Sequence, residues 1–157
     1  MKTLRFLVVV LAALIALPVF AQDKPASNME IVRQKVKADK KLLVAANMEL
    51  TETEAKGFWP VYEAYQTDLA ALNARLVRLI TSYADQYNAK NLTDDGAKQL
   101  LQEGLAIEAG EVSLRQGMEA KLLAVLPARK AARYLQIENK IRAIIKYELA
   151  SEIPLVP

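Results

Sequence analysis

The residues that could do chemistry here are carboxylates and cations at helical spacing. Glu103, Glu108, Glu111 and Glu119 recur within one stretch, and Glu108 and Glu111 fall on one helix face. A carboxylate metal site could use that spacing, but the di-iron pattern of helix bundles also wants Glu-x-x-His, and the chain has no His. A general-acid pair would need two carboxylates in a cleft that splits their proton affinities, and nothing in the pattern predicts a cleft. Solvated charges on amphipathic helices are the expected account. The chain has no Cys either, so the commonest zinc and copper ligands and the usual neutral-pH base are missing. Its Ser residues lack a nucleophile-elbow context, and no Gly-rich phosphate loop is present. The expectation is no catalytic residue, no metal, no cofactor and no small-molecule substrate: not an enzyme.

Two cation clusters remain. Lys35, Lys37, Lys40 and Lys41 could face anionic partners or lipid, although a solvated face is the plainer reading. Arg129, Lys130, Arg133, Lys140, Arg142 and Lys146 decorate the last helical stretch.

The N-terminus sets the compartment. Lys2 and Arg5 precede an apolar run from Phe6 to Leu17, and Val19 and Ala21 are small residues at the positions a signal peptidase reads. The run is shorter than the roughly 20 residues needed to span a bilayer, so 1–21 reads as a signal peptide cleaved after Ala21. Removing Lys2 and Arg5 takes the formal charge from +3 to +1. A nucleic-acid domain should show a strong basic excess, so nucleic acid is not an expected partner. Without Cys, an exported chain must rely on packing rather than disulfides.

These groups must be positioned by helices. After a flexible leader over 22–28, a single helical domain is expected over 29–150, followed by a non-helical C-terminal tail over 151–157. The first helix carries an apolar stripe of Ile31, Val32, Val36, Leu42, Leu43 and Ala46, opposed by its lysines. The second opens with a capping-box signature at Thr51 and Glu54. Its seam is Phe58, Tyr62, Tyr65, Leu69, Leu72, Leu76, Leu79 and Tyr83. Pro60 should kink or break it near Trp59, which reads as a core anchor at the bend rather than a partner contact. A loop at 88–96 leads to a third helix over about 94–126, with Leu100, Ile107, Leu114, Met118, Leu122 and Val125 on one side, widened by Leu101, Leu105 and Val112. Its length matches the second helix, so the two should form an antiparallel hairpin. The fourth helix should bury Tyr134, Ile137, Ile141, Ile144, Ile145 and Leu149, with Glu138 and Arg142 paired on its surface. Ile153 to Pro157 cannot be helical and should dock on the bundle. The fold class read from this is all-α: an elongated four-helix bundle built on a long helical hairpin. Its thin core suggests a homodimer.

The two helix starts carry a resemblance. Leu50-Thr51-Glu52-Thr53-Glu54 and Leu126-Pro127-Ala128-Arg129-Lys130 resemble the repeated Leu-Thr-x-x-Gln motifs of the Spy/CpxP-like periplasmic helical proteins. Leu50 and Thr51 fit that motif and Glu54 replaces its Gln; in the second copy Leu126 fits, while Pro127 and Lys130 depart. The resemblance implies a periplasmic hairpin that dimerises into a cradle and acts as an ATP-independent chaperone in envelope stress. Its clients would be unfolded or membrane-associated envelope proteins, held on a basic face of Arg129, Lys130, Arg133, Lys140, Arg142 and Lys146. Two other readings are a regulatory adaptor binding the periplasmic domain of one envelope-stress sensor, and a structural envelope protein.

Overall fold

In the computed structural model the described residues are 39–157, and they form four helices with no strand among them. The segments expected to be a signal peptide (1–21) and a leader (22–28), and the apolar positions Ile31, Val32 and Val36, lie outside them. Helix α1 is described over 39–48; α2 spans Glu52–Ala89, α3 Asp94–Leu123 and α4 Ala128–Glu152. The last helix therefore runs two residues beyond 150, and of the expected tail 153–157 are non-helical. No described helix is long and apolar enough to cross a membrane.

Local chemistry sets the ends. The Thr51 hydroxyl accepts from the Glu54 N–H at 3.3 Å while the Thr51 N–H donates to Glu54 Oε2 at 2.8 Å, so the capping box closes as expected. At the far end Lys90 takes a left-handed conformation, and its N–H returns to the last turn of α2. Thr93 accepts from the Gly96 N–H at 3.1 Å and starts α3, with Asp94 and Asp95 in the first turn complementing the helix dipole. Pro127 starts α4 without a side-chain cap, its fixed φ of −57° and its carbonyl serving the first turn.

Helices α2 and α3 are antiparallel along their length. Gly57 faces Val125, Leu72 faces Gly110, Leu79 faces Gly104 and Gln86 faces Gly96. Helix α4 returns along them, its Arg142 meeting Glu111 on α3 and its Glu138 meeting Gln66 on α2. The main core lies where α1 ends, α2 starts, α3 ends and α4 starts. It holds Val44, Met48, Phe58, Tyr62, Tyr65, Met118, Leu122, Leu126, Ala131 and Tyr134. Phe58 and Tyr134, both fully buried, meet edge to face at 5.0 Å, a geometry worth about 0.5–1.5 kcal/mol beyond burial alone. At the opposite end Ile80, with Leu76, Val77, Leu149 and Ile153, forms a small second cluster. There Tyr83 donates to the Pro154 carbonyl at 2.9 Å and holds the base of the tail, while Leu155 stands 90% exposed.

Three details differ from the sequence expectation. Helix α2 is unbroken through Pro60, which sits on an exposed face where the carbonyl it strands can meet water. Trp59 beside it does pack against the core as expected, half-buried and with the Lys41 ammonium 5.0 Å above its ring. On α1 the buried positions are Val44 and Met48, while Leu42, Leu43 and Ala46 face out. Leu101, Leu105 and Val112 on α3, and Ile144 on α4, are likewise exposed, because each lies around the helix from the face its neighbours cover.

Candidate functional site

The two motif copies meet. Leu50 packs half-buried against the main core and Leu126 is buried within it. Anchored by these two leucines, the starts of α2 and α4 come side by side. Lys130 Nζ reaches Glu54 Oε2 at 2.6 Å and donates to the Glu49 carbonyl at 2.8 Å. The fifth residue of one copy thus pairs with the fifth residue of the other. That contact from Lys130, followed by the bond from the Thr51 backbone, holds the Glu54 carboxyl below the usual range. Glu49 is available because it turns the chain at a positive φ of 47°, and its side chain lies 3.7 Å from Arg133. Motif residues Leu50, Thr51, Glu54, Leu126, Pro127 and Lys130 therefore form one joint between helix starts.

The six cations assigned to a basic face divide. Lys130 and Arg133 belong to this joint. Arg142 and Lys146 turn toward α3, where both contact Glu111 Oε2, at 3.3 and 3.2 Å; Lys146 also lies 3.7 Å from Glu108. Glu108 and Glu111 thus face cations, and Arg142 pairs with Glu111 rather than with Glu138. Among the described residues no three potential metal ligands converge. Arg129 and Lys140 are exposed and in no ion pair among the described residues. At three- and four-residue spacing they share an outer face of α4 with Arg133, Ile144 and Tyr147, the last 76% exposed.

A buried polar cluster joins three helices at the edge of the main core. Glu138 is only 5% exposed. Its Oε2 receives Lys40 Nζ of α1 at 2.9 Å, and its Oε1 receives Gln66 Nε2 of α2 and the Tyr134 hydroxyl, both at 3.0 Å. Lys40 also donates to Gln66 Oε1 at 2.8 Å. Burial, then the charge of Glu138, pushes the Tyr134 phenol far up, so it stays a neutral donor. The sequence did carry a signal. Glu138 falls four residues after Tyr134 and three before Ile141, and Glu111 four after Ile107 and three before Leu114, so each carboxylate occupies a seam position. Lys40, four before Val44, is on the buried face of α1 by the same rule, although its sequence neighbours made it look solvated.

The grooves between α2 and α3 are modest. One cleft of about 220 Å³ is lined by Val61, Tyr65, Asp68, Leu114, Gly117 and Lys121 among others, with one carboxylate and one ammonium on its walls. In comparisons with known proteins, no family model, no curated protein and no solved structure matches this chain. The class defined by fold and surface is an elongated all-α bundle with apolar and cationic side chains displayed along its helices.

Proposed function

We propose that this chain is a periplasmic, ATP-independent holdase-type binding protein that shields apolar segments of unfolded or membrane-associated envelope proteins, working as a homodimer. The observation that carries the reading is the outer face of α4. There the exposed Arg129, Arg133 and Lys140 precede the exposed Ile144 and Tyr147 on one surface. Cations speed encounter with acidic, unfolded chains, and exposed apolar side chains then hold them loosely. The exposed Leu101, Leu105 and Val112 of α3 add further apolar surface of the same kind. Such a surface favours many weak contacts over one deep pocket, as a holdase requires.

The experiment is light scattering of two unrelated aggregating clients, with and without the protein, in the absence of ATP. Suppression of both at near-stoichiometric ratio is expected, and Tyr147→Ser combined with Lys140→Glu should weaken it without unfolding the bundle. Failure to suppress either client overturns the reading in favour of the single-partner adaptor. Sedimentation as a monomer at micromolar concentration overturns the homodimer.

A further inference from the structure

The seam between α3 and α4 contains an arrangement that the ion pairs do not explain. Arg115 Nη1 and Arg142 Nη2 both donate to Asn139 Oδ1, at 3.2 and 3.0 Å. Guanidinium groups have no acceptor, so the amide must turn its oxygen toward them. Two like charges are therefore drawn to one neutral oxygen. Arg142 is partly offset by Glu111, but Arg115 has no carboxylate partner among the described residues; its Nε donates only to the Glu111 carbonyl at 3.3 Å. With Lys146 shared between Glu108 and Glu111, the group carries three cations against two carboxylates.

Tyr65 lies in the electrostatic field of the same group. It is 5% exposed, and its hydroxyl makes no hydrogen bond among the described residues. Burial first, then Glu138, pushes its phenol up to about 12, so it is a standing O–H donor; Arg115 and Arg142 act on it in the opposite sense, which puts it in the field of the same two guanidiniums. No buried side-chain polar atom among the described residues lacks a partner, so this hydroxyl reaches solvent and carries no burial penalty.

We infer that Arg115 and Arg142 form an oxyanion site that takes a carboxylate in place of the Asn139 amide oxygen. Charge-assisted bonds from guanidinium to carboxylate are about twice as strong as those to a neutral oxygen, and the planar forks suit a carboxylate's two oxygens. Asn139 is exposed, so its side chain can swing away. A monoanion balances the surplus charge. A phosphate dianion would overshoot it beside Glu111 and Glu108. The carboxylate can be a small free acid or the C-terminus of a polypeptide. The site does not depend on the holdase reading.

The test is a nuclear magnetic resonance titration of the isotope-labelled chain with acetate at constant ionic strength, following arginine Nε–H signals. Arg115 and Arg142 should shift together and saturate with a midpoint on the order of millimolar. Arg75, held by Glu103 through two bonds at 2.9 and 3.0 Å, should stay still. Arg115→Gln should weaken binding about tenfold, the loss of one charge-assisted bond. Asn139→Asp supplies the carboxylate internally, so it should raise the melting temperature and abolish the acetate response. A peptide with a free C-terminus binding more tightly than both acetate and its amidated form would assign the site to chain ends; acetate binding as well as the peptide would assign it to small acids. Unsaturable shifts across all arginines, or an acetate response that survives Asn139→Asp, overturns the site. Tighter binding of inorganic phosphate overturns the carboxylate assignment.

Discussion

Replacing Glu138 by Leu tests the buried cluster most directly. The carboxylate is 5% exposed and receives Lys40, Gln66 and Tyr134 within 3.0 Å. Its loss leaves the Tyr134 hydroxyl without its acceptor in a fully buried residue and the Lys40 ammonium, 15% exposed, without its counter-charge. Breaking a buried pair from one side costs about 3–5 kcal/mol. Lys40 retains the Gln66 oxygen and some access to water, so the lower end, about 3 kcal/mol, is expected for Glu138→Leu. At roughly 4 °C per kcal/mol for a domain of this size, the melting temperature should drop by about 12 °C. Lys40→Met should cost less, about 1–2 kcal/mol, because Glu138 keeps two donors. The double variant Lys40→Met/Glu138→Leu removes both charges and should recover at least about 1 kcal/mol relative to the sum of the singles. Urea unfolding of all four proteins gives the cycle. Additive costs, or a Glu138→Leu protein as stable as the parent, would refute the argument that the three helices are tied through this carboxylate.

Two further outcomes follow from local geometry. An added Cβ at Gly117 meets nothing within 4 Å, so Gly117→Ala should stabilise by about 1 kcal/mol through helix propensity. The same change at Gly57 puts a Cβ 2.9 Å from Val125 Cβ, which no side-chain rotation can move, and should destabilise; equal melting temperatures for the two variants would contradict the α2–α3 register. Glu54 has its carboxyl held below the usual range by Lys130 and Thr51, so its contribution is present above the unfolded-state value and fades as pH falls through the lowered one. Thermal melting from neutral to acid pH should show that loss, and Glu54→Gln should remove that part of the pH dependence.

Much of the fold was legible because it rests on local rules. Thr51 and Glu54 announce the start of α2 within four residues, and Thr93 with its two aspartates announces α3. The seam from Phe58 to Tyr83 locates the face of α2 that must be covered, though Leu69, Leu72, Leu76 and Leu79 are only half-buried and Ala70, Ala74 and Ala84 take the tighter positions. The site was less legible. Four of the six cations assigned to the basic face have intramolecular partners, and those partners are distant in sequence: Lys130 with Glu54, Arg133 with Glu49, Arg142 and Lys146 with Glu111.

The sequence by itself determined where α2, α3 and α4 begin, because caps and Pro act within one turn. It placed the ends of α3 and α4 two or three residues off and expected a break at Pro60 that is absent. Only the tertiary structure decided which neighbour covers each face. Leu43 and Val44 are adjacent and comparably apolar, yet one is exposed and the other fully buried. Lys40 and Lys41 are adjacent and identical, yet one lies against Glu138 on α4 and the other against Glu63 on α2. The difference is one step of helix rotation, about 100°. That angle is set by helix packing: Val44 and Met48 seat in the aromatic core while Lys40 finds a carboxylate 98 residues away.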